Sequence, residues 1–83
     1  MTREEIQQDV LKIISNHLNI SETEINDETQ LTQIGADSLD KIEIVMMIEE
    51  KFDVNIDDTD VENVKTFEEL VDLVTKKIGE GDK

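Results

Sequence analysis

Few side chains in this sequence could do chemistry, and most of them fall short of a complete reactive set. Ser38, in Gly35-Ala36-Asp37-Ser38-Leu39-Asp40, is a candidate nucleophile. A nucleophile elbow places a glycine two residues to either side of its serine, but Ala36 and Asp40 hold those places, and the one histidine, His17, falls on another helix. A Ser-His-Asp triad is therefore set aside. His17 has no cysteine or second histidine to join it as a metal ligand, and it reads as a plain helix-end residue. The stretch Asp53-Val54-Asn55-Ile56-Asp57 opens like a calcium loop, with oxygen donors at its first, third and fifth positions. Position six, however, is Asp58 where such loops turn on glycine, and position twelve is Val64 where they close with a bidentate glutamate. No dedicated metal site is expected, only diffuse attraction of divalent ions to the acidic cluster. A glycine-rich phosphate loop is also absent. What remains is one hydroxyl, Ser38, and Asp37-Ser38 taken alone reads as an ordinary helix cap.

Composition narrows the function classes further. The chain has 83 residues, 22 Asp and Glu against 8 Lys and Arg, a formal charge of −14, and no cysteine or proline. That length is one domain with a modest core, since so small a chain hides only about 60% of the surface its unfolded form exposes. Lacking cysteine, it has no disulfide framework and no thiolate of its own, which favours a reducing compartment. Nucleic acid is not expected as a partner, because Lys and Arg must displace counterions from its phosphates. The start Met1-Thr2-Arg3-Glu4-Glu5 has no basic-then-apolar signal pattern, and no apolar run reaches the roughly 20 residues of a membrane span. A soluble, cytoplasmic protein with no membrane insertion is the expectation.

The elements that must position Ser38 are helical. Ile6, Val10, Ile13, Ile14 and Leu18 recur at three- and four-residue steps behind Thr2 and Glu5, which form a capping box, so a helix is predicted over 3–18. Phe67, Leu70, Val71, Val74 and Ile78 repeat the pattern behind a second box, Thr66 and Glu69, with Lys76, Lys77 and Gly79 closing a helix over 67–78. Between them, Ser38 to Lys51 reads as a third helix with Asp37 as N-cap and Asp40 in its first turn. A long loop over 19–34 has room for one turn at 21–24, a short fourth helix fits 57–63 with Val61 and Val64 facing in, and 79–83 should fray. No strand pattern competes with this all-α reading.

The central helix carries more apolar surface than one face can use. At about 100° per residue from Leu39, the residues Ile44, Val45, Ile48 and Phe52 fall between roughly 140° and 240°, whereas Leu39, Ile42 and Met46 fall between roughly 300° and 0°. Glu43, Glu49 and Glu50 surround the second stripe. Either the bundle wraps around the helix and buries both stripes, or the second is a docking face for a partner with an apolar groove and a basic rim. Charge favours docking, because residues 37–62 hold ten acids and two bases.

The segment Gly35 to Asp40 resembles the prosthetic-group attachment motif of acyl carrier proteins, and Lys41 to Asp53 looks like their second helix. The order of helices and loops is similar over nearly the whole chain. The resemblance implies that Ser38 carries 4′-phosphopantetheine through a phosphodiester, added from coenzyme A by a phosphopantetheinyl transferase, with acyl groups held as thioesters on its thiol. It implies that Asp37, Leu39, Asp40, Ile42, Glu43, Met46, Glu49 and Glu50 meet basic docking patches on fatty-acid synthesis enzymes. It also implies that Ile48, Ile56, Val61 and Val64 line a pocket for the acyl chain, although the pattern alone would make all four plain core. Three positions depart from the family's usual pattern: Asp57 stands for a common proline, Lys41 puts a positive charge in an acidic helix, and Gln30-Leu31 stand where many fatty-acid carriers have a bulky aromatic.

The expected fold is thus a small antiparallel bundle of three main helices and one short one, a single acyl-carrier-like domain over 1–83. The expected function is a monomeric, non-enzymatic carrier for fatty-acid synthesis. A carrier for polyketide, peptide or specialised lipid assembly is one rival, and an unmodified acidic interaction module is the other.

Overall fold

The computed structural model describes residues 2–81. Four helices follow in order, α1 (Arg3–Leu18), α2 (Ser38–Phe52), α3 (Asp58–Glu62) and α4 (Phe67–Gly81), with 3₁₀ turns at Glu22–Glu24 and Leu31–Ile34 in the long α1–α2 loop. This is the bundle of three main helices and one short one that the periodicity predicts.

The helix ends follow from local chemistry. Thr2 and Glu5 exchange side-chain to backbone bonds at the start of α1, and Asp37 and Asp40 do the same at the start of α2. Asn19 and Asp53 end α1 and α2 in the left-handed conformation, at φ 56° and 55°, one of the few such conformations that Asn and Asp tolerate. At the start of α4 the Glu69 N–H donates to Thr66 Oγ1, while Phe67 and Glu68 donate to the carbonyls of Thr29 and Asp27 in the loop. Three donors that a helix start leaves without intrahelical partners are satisfied this way, and the long loop is fastened to α4. A single antiparallel bridge between Gln30 and Thr66 adds to the attachment.

Two features differ from expectation by more than a residue at an end. Helix α4 continues through Gly79 to Gly81, past the predicted stop at 78 and over the first part of the end expected to fray. A single glycine lowers helix propensity by only about 1 kcal/mol, and the closing signals were not strong enough to end a well-packed helix. The rest of the predicted frayed end, 82–83, lies outside the described residues. The second 3₁₀ turn, at Leu31–Ile34, was not predicted.

The core is formed by the predicted stripes. Ile6, Val10 and Ile14 from α1 meet Ile44, Val45 and Ile48 from α2 and Phe67, Leu70, Val71 and Val74 from α4, all buried. Ile25, Leu31, Ala36, Ile56 and Val64 close the core from the loops. Helix α3 contributes no buried residue of its own; Val61 is only partly buried against the core, and Val64 lies beyond the helix's end. Among the described residues, no helix is long and apolar enough to cross a membrane.

Candidate functional site

The turn that leads into Ser38 is held rigidly. Gly35 sits at φ 90° after the 3₁₀ turn, and its N–H bonds to the Thr32 carbonyl, while Ala36 N–H bonds to that of Leu31. Buried Leu31 and Ala36 anchor this turn in the core. Asp37 then caps α2, so that Ser38 is the first residue of the helix and exposed. The Asp40 carboxyl is held below its usual range, first by the Asp37 N–H and then by His17. An anion attached to the Ser38 oxygen would lie at the positive end of the α2 dipole, where negative charge is tolerated. No imidazole base is bonded to Ser38, since His17 bonds Asp40. The serine hydroxyl is exposed and without a bonded base.

Two open clefts meet at Ser38. One, of about 600 Å³, runs past Leu31, Ala36, Val64 and Lys65, and the other, of about 510 Å³, past Ile42, Asp58 and Val61. Ser38, Lys41 and Glu62 border both. An exposed hydroxyl on a fixed helix start, beside grooves with apolar walls, fits a long flexible substituent. Of the four residues expected to line an acyl pocket, Val64 borders the first cleft and Val61 the second. Ile48 and Ile56 border neither. Ile48 is wholly enclosed and Ile56 buried, because both lie on the inner side of the bundle, and in this conformation they are core.

The second apolar stripe of α2 stands in solvent. Leu39, Ile42 and Met46 are 62%, 52% and 55% exposed, so the bundle does not wrap around the helix to bury them. Asp37, Glu43 and Glu50 are exposed beside them. Asp40 and Glu49, grouped with these acids in the sequence, are half-buried and engaged within the chain. Asp40 accepts from His17 and from the Asp37 N–H, and Glu49 Oε2 accepts from the Ile56 N–H at 3.0 Å, holding the α2–α3 turn. The exposed acidic edge of this stripe is thus narrower than the helical wheel suggests.

Two residues gain roles that the sequence did not signal. His17 Nε2 reaches Asp40 Oδ1 from the last turn of α1, which joins the end of α1 to the start of α2. Lys41 Nζ donates to the Val64 carbonyl. Each pair spans 23 positions, beyond any local periodicity. Among the described residues, the grouping of imidazole and carboxylates close enough to share an ion is His17, Asp40 and Glu43, rather than the Asp53–Asp57 stretch. Asp53 instead ends α2 and Asp57 precedes α3.

Comparisons with known proteins agree on one family. A family model described as "Phosphopantetheine attachment site" matches residues 8–74. The chain is 40% identical over 79 residues to an acyl carrier protein of Thermotoga maritima, covering 94% of this chain and 98% of that protein. It is also 40% identical over 79 residues to the acyl carrier protein of Cyanidium caldarium, covering 94% and 92%. A crystal structure of an acyl carrier protein from Thermotoga maritima superimposes with a TM-score of 0.86 at 28% identity, covering 99% of this chain and 96% of that one. A structure of the acyl carrier protein from Enterococcus faecalis gives 0.78 at 37% identity, covering 93% and 99%.

Proposed function

Because the chain belongs to the acyl carrier protein family, whose phosphopantetheine attachment domain it matches over residues 8–74, we propose that Ser38 is the residue that bears the prosthetic arm. The protein is a carrier and not an enzyme, and it serves fatty-acid synthesis. When bound, 4′-phosphopantetheine supplies the thiol on which acyl groups are held as thioesters. Every other part of the task falls to the polypeptide. Asp37 and Asp40 fix the first turn of α2, Gly35 and Ala36 fix its direction, and Ser38 presents its oxygen to a phosphopantetheinyl transferase.

The observation that carries this reading is the placement of one exposed hydroxyl at the start of α2, where two clefts meet. Leu39, Ile42 and Met46, edged by Asp37, Glu43 and Glu50, form the face that meets basic patches on fatty-acid synthesis enzymes. Asp40 and Glu49 support that face from beneath. A few exposed apolar contacts and solvent-screened charges give fast, weak association, which suits a carrier that must leave each enzyme. Val61 and Val64 offer the acyl chain its first apolar contacts, and Ile48 and Ile56 would be reached only if the helices part. On this reading the chain acts as a single monomeric carrier domain in the cytoplasm.

The test is an intact-mass measurement after incubation with coenzyme A and a phosphopantetheinyl transferase, followed by peptide mapping. The wild-type chain should gain one arm on the peptide containing Ser38, and Ser38→Ala should gain none. No gain by the wild type, or an equal gain by Ser38→Ala, overturns the assignment.

A further inference from the structure

Lys41 lies where the two clefts at Ser38 meet, and its ammonium crosses from α2 to the α3–α4 connection, donating to the Val64 carbonyl at 2.5 Å. It is half-buried, and among the described residues it forms no ion pair, although residues 37–62 are strongly acidic. Its acceptor, the buried Val64, follows directly on a weakly anchored element. Helix α3 has five residues, none of them buried, and Asp57 gives it no side-chain cap. Buried Ile56 and Val64 hold its two ends, the Leu31 N–H bonds the Lys65 carbonyl after it, Glu49 accepts from the Ile56 N–H before it, and Lys77 pairs with Asp60 on it. A helix with no buried residue opens at low free-energy cost, so a charge-assisted hydrogen bond at the hinge that follows it weighs on how far α3 can swing from α2.

We propose that Lys41 is a latch that controls entry of the acyl chain between α2 and α3. Seated on Val64, it holds the α3–α4 connection against α2 and narrows the mouth beside Ser38. Released, it lets the chain pass along Ile42 and Val61 toward the core. This inference rests on the proposed attachment at Ser38, and it makes Lys41 a positioning residue for the cargo.

The experiment compares wild type, Lys41→Met, which keeps the length and apolar stem, and Lys41→Arg, which keeps a cationic donor. Each is loaded with an octanoyl arm and exposed to hydroxylamine with no enzyme present. Lys41→Met should shelter the thioester, slowing cleavage about tenfold, the ratio that one hydrogen bond from a charged group can set, and Lys41→Arg should match wild type. Equal or faster cleavage in Lys41→Met overturns the latch, since a merely destabilised bundle would expose the thioester. Amide exchange at Val61 and Val64 in the unloaded proteins gives a readout independent of loading. It should be about tenfold faster in Lys41→Met and restored in Lys41→Arg, and unchanged exchange overturns the latch. Absence of loading by mass would instead count against Ser38 as the attachment residue.

Discussion

His17 Nε2 lies 3.1 Å from Asp40 Oδ1, so the last turn of α1 is joined to the first turn of α2 two residues beyond Ser38. Asp40 also completes the Asp37 capping box, and the pair therefore steadies the helix start that presents the serine. Replacing His17 with Ala should lower the melting midpoint by about 1–5 °C, as expected for a partly exposed pair in so small a domain. Differential scanning calorimetry checks this, and an unchanged midpoint would show that the pair carries no stability.

Glu43 and Glu49 lie on one helix but should respond oppositely. Glu43 is exposed, so Glu43→Lys should raise the KM of a fatty-acid synthesis enzyme for the loaded carrier about five- to tenfold, less at high salt, with stability within about 0.5 kcal/mol of wild type. Glu49 holds the Ile56 N–H, so Glu49→Ala should lower unfolding free energy by about 1–2 kcal/mol. Equal kinetic defects without loss of stability would return Glu49 to the docking face.

Ile48 is completely buried between α2 and the rest of the core. Ile48→Ala should cost about 2–4 kcal/mol in urea unfolding with an unchanged slope, through lost burial and the cavity left behind. A loss below about 1 kcal/mol would mean that the site already has free space for an acyl chain.

Gly35 takes φ 90° with nothing within 4 Å of where a Cβ would stand. Gly35→Ala should therefore cost about 1–2 kcal/mol through backbone strain alone, with no steric clash to relieve. Chemical denaturation reads the loss, and neutrality would show that the turn has a second accessible conformation.

The Glu69 carboxyl is held below its ordinary value of 4.5 by the Thr66 N–H and hydroxyl. Because the folded form binds its proton more weakly than the unfolded form, its stabilisation is complete above that ordinary value and disappears as pH falls through the lowered one. Glu69→Gln should be less stable than wild type at pH 7, and the gap should close as pH is lowered below about 5. Comparing the two proteins cancels the background from the −14 net charge. A gap independent of pH would assign the effect to packing instead.

Much of the architecture was legible because it rests on short-range rules. Thr2 with Glu5, Asp37 with Asp40 and Thr66 with Glu69 each act over three residues, so the helix starts could be read directly. The α4 end was less legible, since the energy separating a stop at 78 from one at 81 is small. The second 3₁₀ turn depends on long-range contacts, including the Leu31 N–H bond to the Lys65 carbonyl.

For the site, the order of residues determined that a serine follows a capping aspartate at the start of a helix with two apolar stripes. Helical geometry places such neighbours without reference to the rest of the chain. Only the tertiary structure decided which stripe faces water, that Asp40 and Glu49 bond inward, and that Ile48 and Ile56 are core while Val61 and Val64 border the clefts. It also brought Lys41 to Val64 and His17 to Asp40. Those outcomes depend on which faces α1 and α4 cover and on contacts between residues far apart in the chain, which no local period encodes.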